Sequence, residues 1–121
     1  LLNGWYDIEG STRFKYRWTE QEFSVWVPQD TLSLDLFAKA SAADDLDGDT
    51  TVDVFLGKER VASVLLDRSK WKMYRIFFPG RITERTLCRF VVNRYYCPKE
   101  EGTGEDARKL GLAINKIIFA G

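Results

Sequence analysis

Residues 31–40 read TLSLDLFAKA. Leu32, Leu34, Leu36, Ala38 and Ala40 alternate with Thr31, Ser33, Asp35, Phe37 and Lys39. Successive side chains of a strand point to opposite faces, so a period of two over this length predicts a β-strand with one buried face, the leucine and alanine row. Downstream, Val52, Val54 and Leu56 alternate with Asp53 and Phe55, and Gly57-Lys58 turns the chain into a hairpin partner at 60–66. An aromatic-rich strand is expected at 71–78, stopped by Pro79-Gly80, and another at 86–92. The last, at 110–119, has apolar residues on both faces, which predicts a central strand.

Upstream, 4–18 reads GWYDIEGSTRFKYRW, a glycine-serine turn followed by a strand ending in Arg17-Trp18. A short β-rich run at 23–27 is ended by Pro28, with Gln29-Asp30 as the turn. Residues 41–51 are small, polar and acidic, hence a loop. The connection at 93–108 carries Pro98, Gly102 and Gly104, and 105–110 is expected to form one helical turn. About eight short strands at this spacing predict an all-β, antiparallel β-sandwich.

The chain of 121 residues predicts a single domain over 1–121, large enough for a core without metals or disulfides. It begins Leu1-Leu2-Asn3-Gly4, which suggests a module excised from a larger protein. Apolar residues make up 45%, which argues against disorder. Eighteen basic and eighteen acidic residues cancel, leaving no basic excess of the kind nucleic-acid binders use to neutralise phosphates. No apolar run approaches the ~20 residues of a membrane span. The sequence contains no histidine, so the commonest general base and the Ser-His and Cys-His pairs are missing. Cys88 and Cys97 are the only cysteines; two free thiols are favoured over a disulfide, and zinc is not expected.

Trp5, Tyr6, Trp18 and Trp26 form an aromatic set, and Glu9, Arg13, Arg17, Asp106 and Arg108 a charged set, from which Glu9, Arg17 and Arg108 are taken with the four rings. A sugar's C–H face stacks on an exposed ring while its hydroxyls meet Arg and acid groups, so these seven are the candidate ligand-binding residues. The competing role for the rings is core and sheet-edge packing. For the charges it is a pairing in which Asp106-x-Arg108 ties the C-terminal loop to Glu9. Trp71, opening a strand, is assigned to structure. Asp45, Asp47, Asp49 and Asp53 have a spacing that could wrap oxygens around calcium. Thr50 and Leu56 depart from the EF-hand pattern, so a solvated loop is the expectation, with no metal or other cofactor. Any two of the many carboxylates could be imagined as a glycosidase pair, but a lone sandwich rarely makes the deep cleft that needs, so no enzyme activity is expected.

Four motifs occur in a set order: GWYxxE at 4–9, the Arg17-Trp18 pair, WxxYxIxxP at 71–79 and DxRxLGLAI at 106–114. The set resembles the small jelly-roll modules appended to bacterial glycosyltransferases, sugar methyltransferases and related cell-surface-polysaccharide proteins. That resemblance covers most of the chain. It implies a jelly-roll-like sandwich with a non-catalytic, carbohydrate-binding accessory role. The implied partners are a carbohydrate and a neighbouring catalytic domain of the parent chain. The implied setting is the cytoplasm as part of a larger polysaccharide-biosynthesis protein, with an extracellular binding module as the alternative. A structural or docking domain that positions the catalytic neighbour is the second functional expectation. The acidic loop at 43–50 and the Tyr95-Tyr96-Cys97 cluster depart from the family pattern.

Overall fold

The computed structural model describes residues 3–41, 49–67 and 70–121. Among the described residues, nine strands make two antiparallel sheets. They are β1 (Trp5–Gly10), β2 (Lys15–Thr19), β3 (Glu22–Val27), β4 (Ser33–Ala40), β5 (Thr50–Leu56), β6 (Glu59–Leu66), β7 (Lys72–Phe77), β8 (Thr86–Val92) and β9 (Leu112–Ala120). The five-stranded sheet runs β1-β2-β9-β4-β7 and the four-stranded sheet β3-β8-β5-β6. The pairs β5·β6, β4·β7, β3·β8 and β2·β9 nest one inside the next. That is a long hairpin rolled across two sheets, the jelly-roll arrangement, with β1 added at an edge.

The core follows from the alternations. Leu34, Leu36, Ala38 and Ala40 of β4 face Val52, Val54, Phe90 and Val92 of the other sheet within one buried cluster. Leu32 departs from the row. It precedes β4 and is 37% exposed, while Thr31 is buried with its hydroxyl donating to the Pro28 carbonyl. The phase set by β4 therefore begins at Ser33, because the turn after Pro28 orients the two residues before it.

Strand β9 is central, as its two apolar faces suggested. Its register against β4 shifts between Phe37↔Lys116 and Ala38↔Ile114, which leaves Asn115 as the extra residue of a bulge. On one side of the bulge Leu112 and Ile114 point inward, and on the other Ile117 and Phe119 do. One strand thereby supplies inward residues from both sequence phases.

Strand β1 was not foreseen. It has one neighbour, β2, and its register is broken between Trp5 and Ile8. A short edge strand with a bulge carries little of the alternation that betrays longer strands. The helical turn expected at 105–110 lies instead at α1 (Pro98–Glu101). Pro98 pre-sets the first helical position and Gly102, at φ +73°, closes it in the left-handed region. Among the described residues, no helix is long and apolar enough to cross a membrane.

Candidate functional site

Cross-strand partners share a face, so register decides where each candidate side chain points. Arg17 pairs with inward Ile114, and Trp18 pairs with Ala113 on the opposite face. Lys39 also pairs with Ala113, and Phe37 with Lys116 and Met73. The outer face of the five-stranded sheet thus carries Trp18, Tyr16, Phe37 and Lys39.

On that face the aromatics form a connected bed. Trp71 stands edge-on to Phe14, centroids 4.9 Å apart, and lies 5.6 Å from Tyr16 and 5.7 Å from Phe37. Tyr16 in turn meets Trp18 edge-on at 6.1 Å. These are the separations and tilts that the ring quadrupoles favour. All five rings are half-buried, so each is held by its neighbours yet keeps surface toward solvent. The Lys39 ammonium lies 5.5 Å from the Trp71 centroid and the Lys116 ammonium 5.8 Å from Phe37.

The bed continues to β1. Glu9 pairs with Tyr16, and Tyr6 and Asp7 occupy the bulge opposite Trp18. Glu9 accepts from Arg108 Nη1 at 2.8 Å, and Asp106 accepts from Arg108 Nη2 at 2.8 Å and from Nε. The Arg108 guanidinium lies 5.2 Å from the Tyr6 ring centroid, and the Tyr6 hydroxyl donates to the Lys109 carbonyl. The pairing of the C-terminal loop with Glu9 is therefore present. Hydrogen bonds from Arg108 hold the Asp106 carboxyl below the usual carboxylate range, and those to Asp106 and Glu9 push the Arg108 pKa upward. Burial is the main cause that raises the Tyr6 hydroxyl's pKa, with the Glu20 charge second.

Three of the seven candidates lie elsewhere. Trp5 faces between the sheets, stands edge-on to Phe23 at 5.1 Å and donates its indole N–H to the Ser24 carbonyl. Arg17 also points inward and donates to the Tyr6 carbonyl at 3.1 Å. Both line a cleft of about 480 Å³ between β2 and β9 of one sheet and β3 of the other. Trp26 reaches the rim of this cleft, and the Arg85 guanidinium stacks 4.1 Å from its ring centroid. The candidates thus divide into Tyr6, Glu9, Trp18 and Arg108 on the outer face and Trp5, Arg17 and Trp26 around the cleft.

Phe14, Tyr16, Phe37 and Trp71 belong to the outer bed and were not among the candidates. Phe37 carried a usable signal: it is the one aromatic in the polar row of 31–40.

The cysteines are both free and buried. Burial pushes the Cys88 thiol up to about 12, and the Cys97 thiol lies 3.7 Å from the Asp106 carbonyl. Of the acidic-loop residues, Asp45 and Asp47 lie outside the described residues. Asp49 is exposed, and Asp53 lies on the outer face of β5 with Arg60 at 3.9 Å.

Compared with known proteins, the chain matches no family model, and no curated protein matches its sequence.

Proposed function

We propose that this domain is a non-catalytic carbohydrate-binding accessory module whose glycan lies along the outer face of the five-stranded sheet. The observation that carries the reading is the continuity of Trp71, Tyr16 and Trp18 with the Tyr6–Arg108–Glu9 group on one sheet face. Ring faces supply the apolar contact that a pyranose C–H surface needs, and the paired Arg and acids supply donors and acceptors for hydroxyls at fixed positions. Because Arg108 is already shared between Glu9 and Asp106, neutral hydroxyls suit this site better than an anionic ligand that must displace an ion pair. The pairing supports a binding role over catalysis at Asp106, since a carboxyl held low by its partner is a poor general acid at neutral pH. In this reading the module belongs to a larger cytoplasmic polysaccharide-biosynthesis protein and delivers the glycan to its catalytic neighbour.

Calorimetric titration of the isolated domain with oligosaccharides of bacterial polysaccharides tests it. Trp18→Ala and Trp71→Ala should each weaken binding by about tenfold. Absence of binding across such a panel would sink the reading.

A second reading uses the same face for docking. Beyond the rings it exposes Met73 and Ile118, and Phe77 is 67% exposed. An apolar extension of this kind suits contact with a neighbouring domain. If docking is its purpose, Phe77→Ser will alter association with the parent chain's catalytic domain and leave glycan titrations flat.

A further inference from the structure

The cleft between the sheets has a different chemistry from the outer face. Its walls are mainly apolar, with Trp5, Ile8, Val25, Ile114, Ile117 and Phe119 among a few polar side chains such as Ser24 and Asn115. Its volume of about 480 Å³ falls within the range of small-molecule pockets. A hydrocarbon chain or ring laid along the apolar walls would be removed from water.

The charges along it have one sign. Arg17 and Lys15 lie on the inward face of β2, Lys116 also lines the cleft, and among the described residues no Asp or Glu does. Arg17 is half-buried and, among the described residues, makes one side-chain hydrogen bond, from Nη1 to the Tyr6 carbonyl. A guanidinium has five N–H donors in a planar fork, so the bond to Tyr6 uses only part of the donor capacity of a residue that lines the cleft. A partly desolvated cation with no carboxylate partner among the described residues favours an anion, and the fork fits a carboxylate with two parallel bonds.

We propose that this cleft binds a small amphipathic carboxylate, such as a free medium-chain fatty acid, with its carboxylate on Arg17 and its apolar body along Ile117 and Phe119. The site opens between the sheets and borders the outer bed at Tyr16 and Lys116, and the proposal does not depend on whether that face holds a glycan.

Decanoate is the probe, titrated by calorimetry below its micelle concentration against decanol and decyltrimethylammonium. Decanoate should bind saturably at one site, at least about tenfold tighter than decanol. The cation should bind more weakly still. Arg17→Met keeps the apolar stem and should erase the preference over decanol. Ile8→Glu is the second variant. Ile8 pairs directly with Arg17 across β1 and β2 and is 54% exposed, so the change places an acid beside the guanidinium without disturbing the core. It should weaken decanoate by about tenfold or more with an unchanged melting temperature. No decanoate binding, equal binding of decanol, or full affinity in Ile8→Glu would each overturn the proposal. So would binding confined to phosphatidylglycerol vesicles, which would make the ligand a membrane surface.

Discussion

Thr19 is fully buried, and its hydroxyl has two jobs. It accepts from the Leu112 amide at 3.0 Å and donates to the Glu20 carbonyl at 2.7 Å. Thr19→Val keeps the shape and strands the Leu112 N–H. Denaturant unfolding should show a loss of about 1–3 kcal/mol, the cost of an orphaned buried donor. Beside it, Gly111 donates to the Thr19 carbonyl, and a Cβ there would stand 2.2 Å from the Glu20 carbonyl oxygen. Gly111→Ala should therefore destabilise by a similar or larger amount. Asp106 makes a pH prediction. Its folded pKa is depressed by Arg108, so its contribution is fully present above the unfolded value of ~3.9 and is lost as pH falls through the lower folded value. Asp106→Asn should flatten the acid limb of the stability curve by no more than about 1 kcal/mol, since the pair is partly exposed. At this scale the Arg108–Glu9 pairing was legible, because Asp106 and Arg108 lead directly into a central strand. The direction of Trp5 was not. Trp5 and Tyr6 are adjacent and point to opposite faces, and which faces inward depends on the phase of β1, set only by pairing with β2.

Strand β9 depends on one inserted residue. Deleting Asn115 would restore strict alternation and turn either Leu112 and Ile114 or Ile117 and Phe119 to the outer face. Each such side chain contributes about 1.5–3 kcal/mol by burial, so the deletion should cost several kcal/mol and leave the domain largely unfolded, as read by loss of near-ultraviolet dichroism. An intact melting transition would contradict the bulge. Strand β4 was legible because eight residues keep one phase. In β9 the same physics put apolar residues on both phases, which marked a central strand and concealed the bulge. Strand β1 escaped notice for a related reason, since its bulge leaves no alternation across Trp5–Gly10. The hairpin of β5 and β6 was clear because Gly57, at φ +61°, supplies the turn conformation that other residues avoid.

The molecule as a whole is a jelly roll with two unlike surfaces. An all-β fold was visible in strand spacing, but the nesting of β2·β9 outside β3·β8 and β4·β7 brings together residues nearly a hundred positions apart, such as Trp18 and Ala113. No local pattern states such pairings, so the split of the candidates between outer face and cleft emerges only from the closed sandwich. The four tryptophans happen to sample both: Trp18 and Trp71 lie on the outer bed, Trp5 in the cleft and Trp26 at its rim. Their indole N–H signals in a heteronuclear NMR spectrum therefore report which surface a ligand occupies. Titration with a bound oligosaccharide should shift the Trp18 and Trp71 signals and leave Trp5 in place. A sugar that binds while moving only Trp5 or Trp26, or that moves none of the four, would contradict the assignment of the glycan to the outer face.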